Sequence, residues 1–242
     1  MPSFRAAIYD RLRILSSPRV RRFIKNQRWF VPLSQRLFGN EVYSDSYYAD
    51  IERLENQSVV HIAAWIAEHL TPDTPGRKPR AIDIGCGPGH LMHALEQHNY
   101  DTFGIDIATA ALARTKAKGL HAEAFDLTAP DRTLPGVPYD LVISCEVAEH
   151  LDAQHAARFV EHLTSAGDLI FLTAAEPNAN GGPGLYHVNE QPNAYWIERL
   201  EAAGFELDRD ATDRARAAFQ AADVIDYLAK PMIFRRRTTN PA

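Results

Sequence analysis

Ala81-Ile-Asp-Ile-Gly-Cys-Gly-Pro-Gly-His90 is the stretch on which the fold turns. An apolar run over Arg80–Ile84 stops at Gly85-Cys86-Gly87-Pro88-Gly89, and a helical pattern over His90–Gln97 starts at once. A turn this tight, approached closely by a ligand, needs residues without a Cβ. Glycines also build purely structural turns, so the loop alone is weak evidence. The strand before it, the helix after it and Asp83 inside the strand make it a candidate binding loop. Spacing narrows the ligand. A dinucleotide loop reads Gly-x-Gly-x-x-Gly and rests a pyrophosphate on the helix N-terminus. Here the pattern is Gly-x-Gly-x-Gly with a carboxylate beside it, which suits a cationic amino-acid group better than a diphosphate.

Outward from this loop, short apolar runs alternate with helical segments. Strands are expected at Thr102–Ile105, Ala122–Phe125, Leu141–Cys145, Leu169–Thr173, Glu206–Asp208 and Pro231–Arg235. Helices are expected near Ala108–Lys118, Ala153–Thr164, Pro192–Ala203 and Arg214–Tyr227. Such alternation specifies a doubly wound α/β domain, a parallel sheet with helices on both faces. Upstream, Ile51, Leu54, Val59, Ile62, Trp65, Ile66 and Leu70 recur at helical spacing until Thr71–Gly76 breaks the pattern. The organisation is therefore a helical N-terminal extension or cap over 1–76 and an α/β domain over 77–237.

Two further acids close strands. Asp106 ends Phe103-Gly-Ile-Asp106, about 20 residues after the glycines, where a carboxylate can take both hydroxyls of a ribose. Asp126 ends the third strand in Ala124-Phe-Asp-Leu127, within reach of an adenine amino group. A helix cap at Asp106 and a turn at Asp126 are the structural alternatives.

Taken in this order, the three segments resemble the class I S-adenosylmethionine-dependent methyltransferases over about Arg80 to Phe205. The resemblance implies a Rossmann-like, seven-stranded sheet, mostly parallel with one antiparallel strand, for which Pro231–Arg235 is the candidate. It implies that Gly85, Gly87 and Gly89 pass under the methionine part of the cofactor. Asp83 would then lie near its amino group, Asp106 on its ribose, and Asp126 with Leu127 beside its adenine. Cys86, Ile107 and Cys145 are counted with the same site.

The fourth strand leads into Ser144-Cys-Glu-Val-Ala-Glu-His-Leu151. If the chain turns helical there, Glu146, Glu149 and His150 share one face. Two carboxylates repel unless a cation lies between them, and an imidazole adds a nitrogen ligand. Glu146, Glu149, His150 and the distal His187 are therefore candidate ligands for a divalent metal. Glu146, His150 and His187 are the candidate catalytic groups, with His150 or His187 as a metal-free base, and a packing role for His150 stays open. The Glu-x-x-Glu-His pattern resembles ubiquinone-biosynthesis O-methyltransferases and small-RNA 3′-terminal 2′-O-methyltransferases.

The leading expectation is O-methylation of a small-molecule acceptor. An RNA 2′-O-methyltransferase and a non-catalytic protein that binds S-adenosylmethionine are the alternatives. Thirty-one acids against 26 lysines and arginines give a net charge of -5, which counts against nucleic acid as partner. An arginine-rich stretch, from Arg5 to Arg36, is either a solvated helix face or a hold on an anionic partner. Tyr43, Tyr47 and Tyr48 could close over cofactor or acceptor or pack in the core, and Gly181–Gly184 could form a flap. Tyr186, Tyr195 and Trp196 could line the acceptor pocket, although at its helical spacing Trp196 is more often a core residue. The two cysteines suggest no disulfide framework, and neither a signal peptide nor a membrane span is evident, so a cytoplasmic location is expected. Oligomeric state is not legible.

Overall fold

The computed structural model describes residues 45–130, 132–177 and 186–238. Expectations placed on Arg5–Arg36, Tyr43, the Tyr47 side chain and Gly181–Gly184 lie outside what is described. Helix α1 (Asp45–His69) leads into β1 (Arg80–Ile84), α2 (His90–Glu96), β2 (Asp101–Asp106), α3 (Thr109–Ala117) and β3 (His121–Ala124). Then come β4 (Leu141–Cys145), α4 (Ala156–Ala166), β5 (Leu169–Thr173), α5 (Asn193–Ala202), β6 (Phe205–Leu207), α6 (Arg209–Ala221) and β7 (Met232–Arg236). Two short 3₁₀ turns, Ala148–His150 and Ala153–His155, separate β4 from α4.

The seven strands run in the order β3-β2-β1-β4-β5-β7-β6. Strands β3, β2, β1, β4 and β5 pair in parallel, and β7 is antiparallel to both β5 and β6. The final strand is thus the antiparallel one expected from Pro231–Arg235. Strand order reverses between β1 and β4, so a crevice opens at their carboxyl ends, the place where open α/β sheets bind ligands.

Alternation along each strand divides the core between two faces. Ala81, Leu141, Ile143 and Phe171 meet Ile62 and Ile66 of α1, Leu95 of α2 and Phe219 of α6. Ile82, Val142, Ile170 and Leu172 meet Phe159 and Leu163 of α4 and Trp196 and Leu200 of α5. Both faces are buried, which is why the central strands read as unbroken apolar runs. Helix α1 shares one core with the sheet. Its period therefore places Asp83, two residues after Ala81, on the face that α1 covers.

Candidate active site

Each element ends in a side chain aimed at one cavity of about 730 Å³ at the carboxyl edge of the sheet. Asp83, Gly85, Cys86, Gly87, Asp106, Ile107, Asp126, Leu127 and Cys145 line it, as do Glu146, Glu149, His150 and His187. Gly89 is the exception among the expected cofactor residues. It is set back from the wall, and a Cβ there would lie 2.8 Å from Thr115 Cγ2 and 2.9 Å from Leu120 Cδ1. Its glycine serves packing against α3, with φ at +76°.

The loop spends its own donors. The amides of Gly85 and Cys86 both donate to the Ile105 carbonyl, at 2.8 and 3.0 Å, and that of Gly89 donates to Cys86. The amide of Gly87 donates to Asp106 Oδ2 at 2.9 Å. A phosphate-binding loop turns such groups toward its ligand. This one leaves a bare backbone surface flanked by carboxylates, as the spacing suggested. Gly85 and Gly87 both adopt left-handed φ, +79° and +52°. A Cβ at Gly85 would lie 2.3 Å from Val147 Cγ2, whereas at Gly87 its nearest neighbour is Tyr48 Cε1 at 3.8 Å. Gly85 is glycine for packing, and Gly87 for access.

Asp106 is half-buried at the cavity wall; desolvation raises its carboxyl above the usual range even though amides of Ala108 and Gly87 donate to it. Helix α3 is capped by Ala108, so Asp106 is not its N-cap. Asp126 does hold a turn, accepting from the Thr128 amide at 2.8 Å and the Thr128 hydroxyl at 2.6 Å. Desolvation opposes ionisation there, but those bonds leave its pKa below the ordinary value. Ile107 is 40 % exposed at the cavity rim, an apolar surface suited to a flat base.

The acids after β4 depart from the expected helical face. The Glu146 amide still donates to Thr173 of β5, at 3.2 Å, and its φ of +56° then turns the chain into the 3₁₀ turn. Glu146 is consequently left beside Glu149 instead of stacked with His150. The groups that converge are Glu149, His150 and His187, with one ligand atom from each within 4.8 Å of the others. His187 is brought over by its own loop: the amides of Val188 and Asn189 both donate to the Glu149 carbonyl, at 2.8 and 3.0 Å.

Each imidazole is oriented from behind. His150 Nδ1 lies 3.1 Å from the Tyr186 carbonyl, which can only accept, so Nδ1 carries the proton and the lone pair sits at Nε2. His187 Nδ1 lies 2.8 Å from the Glu190 carboxylate, which sets the same tautomer; its Nε2 is 3.9 Å from Glu149 Oε1. Burial lowers the pKa of both rings, that of His150 to about 4. Glu149 is 0 % exposed, and neither carboxylate oxygen has a hydrogen-bond partner among the described residues. Burial and mutual repulsion raise Glu146, and burial raises Glu149. Glu149 and the two oriented imidazoles form a three-residue donor set of a kind that fits a divalent cation.

The expected acceptor-pocket residues divide: Tyr186 and Tyr195 do not reach the wall, and Trp196 takes the core position its spacing favoured. Tyr186 and Trp196 are fully buried in the core, Trp196 packing edge-on against Phe159 at 5.7 Å, and neither lines the cavity. Tyr195 packs against Trp196 at 4.9 Å and is likewise absent from the wall. Of the tyrosine cluster, Tyr48 does line it. Sequence reading missed Glu55 and Tyr227, both on the cavity wall, and Glu52, which pins α1 across the loop. Glu52 meets Arg114 at 2.6 Å, Lys118 at 2.8 Å and His90 Nε2 at 3.0 Å. The His90 bond, then Lys118, lowers its pKa to about 2. The detectable signal was Glu52 and Glu55 at i and i+3, continuing the helical spacing of buried Val59, Ile62 and Ile66.

Residues 82–167 match the family described as "Methyltransferase domain". The chain is 29% identical over 123 residues to a ubiquinone biosynthesis O-methyltransferase of Sinorhizobium medicae, covering 47% of this chain and 50% of that protein. It is 34% identical over 94 residues to the protein of that name from Cereibacter sphaeroides, covering 37% and 38%. The chain thus spans about half, or less, of the length of these curated relatives. Among solved structures, a SAM-bound amino pentose methyltransferase from Micromonospora echinaspora aligns with a TM-score of 0.57 at 15% identity, covering 79% and 97%. SAM-bound magnesium protoporphyrin IX methyltransferase from Synechocystis PCC 6803 aligns with a TM-score of 0.54 at 20% identity, covering 78% and 83%. At those identities the structures speak for the fold. No described helix is long and apolar enough to cross a membrane.

Proposed function

We propose that the protein, whose residues 82–167 match a methyltransferase domain, is of the class I, S-adenosylmethionine-dependent kind and O-methylates a small-molecule acceptor with the help of a divalent metal. One observation carries this reading: a single cavity joins the carboxylate-flanked glycine loop to the Glu149–His150–His187 cluster. In this reading the methionine part of the donor crosses the bare backbone at Gly87, Asp106 takes the ribose, and adenine lies between Ile107 and Leu127 near Asp126. The sulfonium methyl then faces the second half of the cavity.

Methyl transfer is an in-line displacement at carbon: the oxygen–carbon bond forms as the carbon–sulfur bond breaks, and sulfur keeps the electron pair. The sulfonium supplies the driving force, so the protein chiefly aligns the partners, which can contribute several kcal/mol. The acceptor hydroxyl must also lose a proton. A cation held by Glu149 and by Nε2 of His150 and His187 would supply Lewis acidity, lowering the pKa of an acceptor hydroxyl. Glu146, beside Glu149, would add charge to that end of the cavity. The second reading, a metal-free His150 base, is favoured by its oriented tautomer but opposed by its pKa of about 4, poorly matched to neutral pH.

Charge also speaks to the acceptor. Among the described residues eight carboxyl groups line the cavity against one ammonium, Lys230, which is itself 2.9 Å from Asp226. That balance repels a polyanion and argues against RNA as acceptor. The test has two parts. Calorimetry should show S-adenosylhomocysteine binding that Asp106→Ala weakens at least about tenfold, as loss of charge-assisted hydrogen bonds demands. Labelled methyl donor with metabolite extracts should then yield alkali-stable, ether-type products. Unchanged affinity in Asp106→Ala would remove the donor assignment.

A further inference from the structure

Two carboxylates, Asp83 and Glu55, line the same cavity on the sheet face that α1 covers, and only Asp83 belongs to the strand–loop motif. Asp83 is 6% exposed, lies on the wall, and makes no hydrogen bond to any described residue. Glu55 comes from α1, on the sheet face that Asp83 shares, and lies on the same wall. The hydroxyl of Tyr227, from the segment between α6 and β7, donates to Glu55 Oε1 at 2.8 Å. Tyr227 also lines the cavity, so the bond braces Glu55 at the wall.

Glu55 lies close enough to Asp83 to oppose its ionisation. Burial, then Asp106 and Glu55, raise Asp83 to about 7; burial raises Glu55 to about 7 as well, against the Tyr227 bond. Packing does not require this. An apolar residue at 55 would extend the Val59–Ile62–Ile66 face without the cost of a buried charge. A compact cation with several donors relieves both groups at once, and an ammonium has three donors to distribute.

We infer that Glu55 and Asp83 together form the cradle for the donor's α-ammonium group, with Tyr227 as the residue that positions Glu55. This rests on the donor reading above and adds the N-terminal helix to the donor site. It explains why α1 is pinned across the loop by Glu52: the helix delivers a ligand-binding side chain. The cofactor's amino-acid end would thereby be closed between β1 and α1.

The test separates the amino-acid end from the nucleoside. Calorimetry on the full chain would compare S-adenosylhomocysteine with methylthioadenosine, which keeps adenosine and sulfur but lacks the amino-acid carbons. Glu55→Gln should weaken S-adenosylhomocysteine at least about tenfold and methylthioadenosine less than about twofold. Tyr227→Phe should show the same selectivity at about two- to tenfold. Should Glu55→Gln prove poorly folded in a thermal melt, Glu55→Asp supplies the same comparison with the charge kept but withdrawn. Equal losses for both ligands would reduce Glu55 to a structural residue, and unchanged S-adenosylhomocysteine affinity would remove it from the site. A wild-type chain that binds methylthioadenosine and S-adenosylhomocysteine equally would overturn the cradle while sparing the nucleoside assignment. One that binds neither would sink the donor reading itself, and the cradle with it.

Discussion

Alanine at Gly85 and alanine at Gly87 should fail in different ways. Both positions have left-handed φ, so each substitution carries a backbone cost of about 1–2 kcal/mol. At Gly87 little is added in the free protein, since the new methyl meets only Tyr48 at 3.8 Å. At Gly85 the methyl would sit 2.3 Å from Val147 Cγ2. Val147 stands between Glu146 and the 3₁₀ turn bearing Glu149 and His150, so it cannot give way without moving the cluster. Overpacking of that kind adds about 1–3 kcal/mol. Gly85→Ala is therefore expected to lose about 2–5 kcal/mol, and Gly87→Ala about 1–2 kcal/mol.

Urea titration reads these losses, and calorimetry with S-adenosylhomocysteine reads the other half. Gly87→Ala should keep most of its stability yet bind the ligand at least about tenfold more weakly, because its methyl enters the cavity where backbone contact is needed. Combining Gly85→Ala with Val147→Ala should recover the overpacking part alone, visible as a coupling energy in a double-mutant cycle. If Gly85→Ala and Gly87→Ala lose stability equally and both retain ligand affinity, the division of the loop into a packing glycine and an access glycine is wrong.

Three further outcomes are expected. Manganese or magnesium should raise the thermal midpoint of the wild type, whereas Glu149→Gln and His187→Ala should abolish that shift; undiminished turnover in excess chelator would remove the metal. Asp83, raised to about 7 from its ordinary 3.8, must be ionised to take an ammonium, so S-adenosylhomocysteine affinity should climb about eightfold between about pH 6 and pH 7.5. Asp83→Asn should remove this group's share of the climb and leave the share of Glu55, also raised to about 7. The folded state holds the Asp83 proton over a range where the unfolded chain has lost it, so the free protein's stability from this group is complete below about 3.8 and declines as pH rises toward about 7. A melt series for wild type and Asp83→Asn across that window tests the sign, and a steeper decline in the variant would refute it.

Much of this architecture was legible because its signals are local. Strands β1, β4 and β5 coincide with the apolar runs at Arg80–Ile84, Leu141–Cys145 and Leu169–Thr173, since strands buried on both faces carry no alternation to blur their ends. Strand β3, by contrast, is His121–Ala124, shifted one residue from the expected Ala122–Phe125: it lies at the sheet's edge, and its burial is confined to Ala122. The helix over Arg214–Tyr227 begins earlier, at Arg209, where Asp208 caps it by accepting from the Ala211 amide at 3.0 Å, and it ends at Ala221. That cap is a local signal left unread. Tyr195 misses the acceptor pocket for a different reason, because helical spacing does not say which face of α5 meets the sheet; the same helix takes Trp196 into the core, the reading its spacing favoured.

What no local pattern could supply is the meeting of distant segments. Glu55 and Tyr227 are 172 residues apart, and Glu149 and His187 are joined only because the chain after β5 folds back to donate two amides to one carbonyl. Helical spacing grouped Glu146 with Glu149 and His150. A left-handed residue at the end of β4 regroups them, and 146 is a position where a glutamate would not ordinarily adopt that φ. Such strain persists where surrounding structure holds it, and it clusters at functional sites. Here the Thr173 carbonyl fixes the Glu146 amide and Val147 seals against Gly85, so the glycine loop and the cluster are mechanically one piece. A donor settling on the loop therefore bears on the same residue, Val147, that sets where Glu149 and His150 stand.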